Sequence, residues 1–203
     1  MEEVDATFGL IHTPARILLA GCTGSGKSFF ARSLIEHRKD IFTSDFDKII
    51  YVIPKHASVN RSEFLDSLKT IYPSIIIIEG FKEAMATSNF AFDNLPKLLI
   101  LDDLISELMK APEFLDRLIK DSHHSNITVI FSSQYLYFPS KFSTTIRGQI
   151  SEIVVFYEKG NMAAVKKLGT RYYTGAGESN LLLEAMEYLL KENEEHSKYI
   201  LLG

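Results

Sequence analysis

Apolar positions along this chain gather into short unbroken runs instead of alternating with polar ones. The runs are Arg16–Ala20 (RILLA), Lys48–Ile53 (KIIYVI), 75–78 (IIII), 98–101 (LLIL), 127–131 (ITVIF) and 153–157 (IVVFY). Most of their residues are branched or aromatic. A strand with one wet face would alternate, so a continuous run predicts a strand covered on both faces, as in a parallel sheet. The intervening segments carry helical spacing. Residues 28–38 place Phe30, Leu34 and Ile35 on one stripe. Ser62–Ile71 does the same with Phe64, Leu65 and Leu68, and Ser62 is the expected N-cap. Residues 112–121 begin on a proline suited to a first turn and align Leu115, Leu118 and Ile119. Alternating strand and helix predicts an α/β fold with a mostly parallel sheet and right-handed crossovers. Residues 80–96 read as a long loop. Residues 179–202 read as one long helix or two shorter ones, apolar early (LLLEAMEYLL) and charged later (KENEEHSK). No repeat, low-complexity tract or linker divides the chain. The expectation is one domain over 1–203, with a core at about 12–171 and a C-terminal helical segment at 179–202.

Composition narrows the function classes. The 203 residues are 46% hydrophobic and 24% charged, enough apolar material for a sizeable core. Twenty-two basic against 26 acidic residues give a net charge of -4. That excludes a protein coating nucleic acid over its whole surface, while a local basic patch repeated around a ring remains compatible. The single cysteine, Cys22, excludes an intramolecular disulfide framework and fits a reducing compartment. No apolar run approaches the ~20 residues that span a bilayer. The acidic start, Met1-Glu2-Glu3, lacks the basic segment of a signal peptide. The chain reads as a soluble domain of intracellular type.

The strongest chemical signal is Gly21-Cys22-Thr23-Gly24-Ser25-Gly26-Lys27-Ser28, a full G-x4-G-K-S between a predicted strand and a predicted helix. Glycines there let successive N–H groups turn inward around phosphate oxygens, and the helix N-terminus adds a favourable dipole. Lys27 is expected at the β- and γ-phosphates of ATP, both binding and catalytic. Ser28 is expected on Mg²⁺, with Phe29 closing the nucleotide-binding segment. Cys22 reads as a small residue filling a tight loop in preference to a redox switch.

The run 98–101 ends in Asp102-Asp103. An acid after four apolar residues can hold Mg²⁺, and a second can orient or deprotonate the attacking water. Asp102 is assigned to the metal and Asp103 to the water. The alternative for Asp103 is an N-cap for residues 104–110. The run 127–131 leads into Ser132-Ser133-Gln134 at the strand's C-terminal edge, where ligands of parallel sheets sit. Gln134 is the candidate sensor, with Ser133 behind it. Arg147 and Arg117 are the candidates for an arginine completing a neighbouring subunit's site, and Arg171 and Arg61 are weaker ones. Adjacent His123 and His124 make a poor zinc site and suit a helix end. Lys82 and Lys141 are candidate contacts to DNA phosphates, with an ordinary solvated role as the alternative.

These motifs, in this order and spacing, resemble the viral genome-packaging ATPases of the FtsK–HerA superfamily, above all the compact enzymes of polinton-type and virophage-type elements and of poxviruses. GCTGSGKS, LLILDD, and HHSNITVIFSSQ with FSTTIRGQISEIVVF carry the resemblance, from about His12 to Arg171. It implies a three-layer, RecA-like P-loop NTPase with an additional strand between the phosphate-loop strand and the acid-pair strand. It also implies a ring of subunits, pentameric or hexameric, that drives double-stranded DNA into a capsid through a capsid or portal-vertex protein. The setting would be host-cell cytoplasm or nucleus during virion assembly, or the virion itself. Two departures stand out. Relatives commonly carry Glu where this chain has Asp103, and a basic residue after the histidine pair where it has Ser125.

Competing classes fit less well. A viral replicative helicase shares the phosphate loop and acid pair, but its sensor strand normally ends in asparagine and an origin-binding domain precedes the core. A nucleoside or nucleotide kinase needs an arginine-rich lid, and residues 80–96 hold no arginine. A nucleotide switch without turnover has no need of the acid pair.

Overall fold

Each of the six apolar runs becomes a strand because its residues can be buried from both sides at once. The computed structural model describes residues 10–86, 94–137, 148–156, 162–172, 180–192 and 199–202. Its strands are β1 (Arg16–Ala20), β2 (Lys48–Ile53), β3 (Ile76–Glu79), β4 (Lys97–Leu101), β5 (Ile127–Ser133), β6 (Glu152–Phe156) and β7 (Tyr199–Leu202). They form one seven-stranded sheet in the order β3-β2-β4-β5-β1-β6-β7, parallel except where β7 runs against β6. The strand β5 separates β1 from β4, with Ala20 opposite Ser133 on one side and Leu101 opposite Phe131 on the other. The additional strand that the resemblance implies is therefore present.

Alternate residues of every central strand feed two cores. Leu18, Val52, Leu99, Val129 and Val155 face one layer of helices, formed by α4 (Phe81–Ala86), α5 (Ile105–Leu108), α6 (Pro112–His124), α7 (Met162–Tyr172) and α8 (Leu181–Glu192). Ile17, Leu19, Tyr51, Ile100 and Val154 face the other, where α1 (Lys27–Glu36) and α3 (Ser62–Ile71) lie. A short helix, α2 (Arg38–Ile41), follows α1. No helix among the described residues is long and apolar enough to cross a membrane.

Three expectations need correction. The segment 80–96 is not simply a loop. Gly80, at φ 96°, turns the chain out of β3, and α4 then buries Phe81 and Ala84; residues 87–93 lie outside the described residues. The C-terminal stretch 179–202 is not purely helical, because α8 gives way to β7. The run YILL is apolar enough to pair with the open edge of β6, whose backbone groups would otherwise lack partners. Ser62 is the first helical residue of α3, and Arg61 occupies the cap position with no side-chain capping bond.

Arg16 ties the base of the sheet together. Its Nε donates to the Gln149 carbonyl at 2.6 Å and its Nη1 to the Ile119 carbonyl at 2.8 Å. Desolvation lowers the guanidinium pKa, so these charge-assisted bonds offset a real burial cost. Arg16→Met, which keeps the stem and removes the donors, should cost about 1.5–3 kcal/mol in urea unfolding. An unchanged midpoint would assign these bonds no net role.

Candidate active site

The phosphate loop starts where the β1–β5 ladder ends. The Gly21 amide donates to the Ser133 carbonyl at 3.1 Å, extending that ladder by one rung. Gly21 must lack a side chain, since a Cβ there would stand 2.6 Å from Phe156 Cβ and 2.7 Å from Ser25 Oγ. Gly26, at φ 99°, is the N-cap of α1 in a left-handed conformation that side chains resist. Cys22, Thr23, Gly24 and Ser25 bridge the two, closed by a Ser25 amide bond to the Cys22 carbonyl at 3.2 Å. Ser25 Oγ is buried without a hydrogen-bond partner, a polar group that a phosphate oxygen would satisfy.

Lys27 is almost fully buried, and its Nζ donates to the carbonyls of Gly21 and Cys22 at 2.7 Å each. The Ser28 hydroxyl donates to Asp102 Oδ2 at 2.9 Å, which leaves its own lone pairs for a cation. An alcohol oxygen beside a carboxylate is the hard, all-oxygen donor set that Mg²⁺ takes, so the residues present fit the metal. Phe29 projects outward, 67% exposed, with its ring edge-on to Phe64 at 5.7 Å. A cavity of about 900 Å³ opens between this loop and the N-terminus of α3, with Lys27, Ser28, Arg61, Phe64 and Asp103 in its wall. That volume suits a nucleotide-sized ligand.

The adjacent acids occupy unlike environments. The Asp102 amide donates to the Val52 carbonyl at 3.0 Å, so the β2–β4 ladder holds this residue in place. Its carboxylate is buried, and three donors converge on Oδ2: Ser28, the Tyr51 hydroxyl at 3.0 Å and Arg61 Nη1 at 2.7 Å. Tyr51 is itself fully buried. Burial first, then the Asp102 charge and its hydrogen bond, push the phenol pKa well above its ordinary value. The phenol therefore stays a proton donor.

Asp103 adopts φ 58°, a left-handed conformation that Asp tolerates better than most residues, and lines the cavity. Burial raises its pKa, and Asp102 adds to the rise. Lys27, Arg61 and a hydrogen bond from Gln134 oppose it. The capping alternative for Asp103 is not realised, since α5 has Leu104 at its cap position and no side-chain capping bond. Gln134, one residue past β5, thus stands beside Asp103. Ser133 turns its hydroxyl to the Tyr135 backbone and shapes the turn that carries Gln134.

The remaining candidates lie elsewhere. Arg117 sits on the exposed side of α6 and pairs with Asp121 at 3.5 Å, outside its own chain's cavity wall. Arg147 and Lys141 lie outside the described residues. Arg171 and Lys82 are exposed, and His123 and His124 close the last turn of α6. Arg61 changes place most. Considered as an arginine reaching into a neighbour, it binds Asp102 of its own chain. Tyr51 escaped notice altogether, although a phenol inside an otherwise aliphatic buried run signals a buried acceptor nearby.

The family model of the poxvirus A32 protein matches residues 6–202. No curated protein matches the chain. Among solved structures, the flagellar accessory protein FlaH from Methanocaldococcus jannaschii is 16% identical over 71% of this chain and 72% of its own, with a TM-score of 0.51. The cytoplasmic domain of the type VII secretion ATPase EccC from Thermomonospora curvata is 15% identical over 73% of this chain and 21% of its own, also at 0.51. The KaiC-like protein PH0186 from Pyrococcus horikoshii OT3 is 19% identical over 72% and 75%, at 0.48. At these identities the likeness is one of fold.

The raised Asp103 pKa makes a stability prediction with a definite sign. Between the unfolded value, near 3.8, and the higher folded one, the native state binds the extra proton, so stability falls as pH rises through that window. Asp103→Asn removes the ionisation and suits the same backbone angle. The variant should melt above the parent at neutral pH, and the difference should vanish below the unfolded carboxyl pKa. A variant that melts lower at pH 7 would show that Asp103 is held by its partners more than it is penalised by burial.

Proposed function

The chain belongs to the poxvirus A32 protein family and is a P-loop ATPase, and from this we propose that it is the motor that drives double-stranded DNA into a viral capsid during virion assembly in the host cell. One observation carries the hydrolytic part of this reading. Two adjacent carboxylates stand at one strand end, one saturated with donors beside Ser28 and the other desolvated beside Gln134 and Lys27. A binding switch has no use for the second. A phosphotransferase would exclude water from that position.

In this reading Lys27 exchanges the loop carbonyls for the β- and γ-phosphates of ATP. Ser28 would hold the cation through its free lone pairs while its hydroxyl proton stays on the serine, donated to Asp102. Mg²⁺, when bound, neutralises charge developing on the phosphate oxygens. Asp103, with its raised proton affinity, accepts a proton from the attacking water, and Gln134 fixes that water's orientation. The loop glycines and the amides of Cys22 to Phe29 cradle the phosphates. Subunits assemble into a pentameric or hexameric ring in which Arg147, or else Arg117, completes the neighbour's site. Each subunit's net charge is -4, so DNA is gripped by a small basic patch repeated around the ring. A capsid or portal-vertex protein anchors the ring.

Purified protein should hydrolyse ATP faster when double-stranded DNA is added. Lys27→Ala should lose nucleotide binding, and Asp103→Asn should bind Mg·ATP yet turn over about 10²–10⁴-fold more slowly. Equal, small losses in both variants, or indifference to DNA, would overturn the motor reading.

If an arginine acts across the subunit boundary, specific activity should rise with protein concentration. Mixing Lys27→Ala subunits with Arg147→Ala subunits should restore part of the activity that each lacks alone. Recovery with Arg117→Ala but not with Arg147→Ala would transfer the role to Arg117, and concentration-independent activity would count against the ring.

A further inference from the structure

Asp102 Oδ2 already accepts more than one oxygen ordinarily does. A carboxylate offers about four lone-pair sites over two oxygens, yet three donors meet on this single atom at 2.9, 3.0 and 2.7 Å. A cation held at Ser28 would stand beside this same oxygen and repel the one positively charged donor on it, the Arg61 guanidinium. Ser28 must stay, because its hydroxyl orientation is what exposes its lone pairs. Tyr51 is fully buried in β2 and has no room to withdraw. Arg61 alone is free to leave. Its side chain is 30% exposed, against 2% for Asp102, and it opens onto the large cavity.

We propose that Arg61 is a built-in cation that occupies the magnesium position at Asp102 while the site is empty and is exchanged for Mg²⁺ when the metal–nucleotide enters. The inference rests on the assignment of Ser28 and Asp102 to the metal. The surrounding structure suits such an exchange. Arg61 ends the segment that follows β2, immediately after the short 3₁₀ turn Ser58–Asn60 and before α3. That segment is fastened at its other side, where Ser58 donates its amide and hydroxyl to Glu79 Oε1 at 3.2 and 2.9 Å. The Glu79 carboxyl sits below its usual pKa, chiefly because of those two bonds, so it accepts them as a carboxylate at neutral pH. Freed from Asp102, the guanidinium pivots on a fixed root and stays within the cavity that Lys27, Ser28 and Asp103 share. In the empty site the same arginine compensates a carboxylate that would otherwise be buried and unpaired.

The test measures binding without turnover. Affinity for a fluorescent ADP analogue is titrated against Mg²⁺ in the parent, Arg61→Ala, Arg61→Lys and Asp102→Asn. If Arg61 competes with the metal, Arg61→Ala should lower the half-saturating Mg²⁺ about tenfold or more, the weight of one charge-assisted hydrogen bond. Arg61→Lys should restore part of the parental requirement. The nucleotide-free Arg61→Ala protein should melt lower than the parent, and Mg·ADP should close that gap. A half-saturating Mg²⁺ that is unchanged or higher in Arg61→Ala, while Asp102→Asn loses Mg²⁺ dependence, overturns the exchange and leaves the metal assignment standing. Mg²⁺ dependence that survives in Asp102→Asn overturns the metal assignment itself. If Arg61→Ala does not fold, the Arg61→Lys titration decides alone, since a shorter point charge should compete less and shift the requirement downward.

Discussion

A carboxylate without water must be compensated by its surroundings, and Asp102 is the place where this protein meets that demand. Its side chain is 2% exposed, and an unpaired charge so placed costs several kcal/mol. The compensation comes from three separate elements: Ser28 of α1, Tyr51 of β2 and Arg61 at the head of α3. Each of these must therefore be delivered to one oxygen with hydrogen-bond accuracy. The phosphate loop, the neighbouring strand and the wall of the nucleotide cavity are all registered on this atom. Backbone ladders supply the rigidity, since Asp102 and Gly21 both continue strand pairings beyond the last formal strand residue.

The position of β5 follows from the same requirement. If β1 and β4 were neighbours, the phosphate loop would stand directly against the acid pair, with no strand end between them. Inserting β5 opens a gap about one strand wide, near 4.8 Å, and fills its upper end with Gln134. The gap gives Asp103 a hydrogen bond from Gln134 but not full solvation, and the desolvation outweighs that bond and raises its proton affinity. Two identical side chains in sequence thus acquire different chemistry. One is an acceptor pinned by donors, and the other is partly desolvated with a raised proton affinity.

Polar groups that are hard to satisfy gather at one strand end of this protein. Asp103 is partly desolvated, which raises its proton affinity, and three donors crowd one oxygen of Asp102. These demands fall on residues that line the cavity or bond to its lining, while the two cores on either face of the sheet are apolar. Strain and unmet charge at a site are sustained by surplus packing elsewhere.

Much of this was legible in one dimension. Unbroken apolar runs indicate strands buried on both faces, because burial on two sides leaves no polar phase, and that pattern alone indicates a parallel α/β sheet. Glycine spacing marks the phosphate loop, since glycine best adopts the left-handed turn seen at Gly26 and, at Gly21, leaves out a Cβ that would stand within 3 Å of the Phe156 and Ser25 side chains. The strand β7 was hidden because four apolar residues after a helix have no period of their own until an open edge recruits them. The partners of Asp102 were hidden for a related reason. They lie 74, 51 and 41 residues away along the chain, and only the order of strands in the sheet brings them to one oxygen. Local sequence fixes backbone shape and the period of burial, both short-range properties. Which charge meets which depends on sheet topology, a property of the whole chain, and so the tertiary structure alone decided that Arg61 belongs to its own active site.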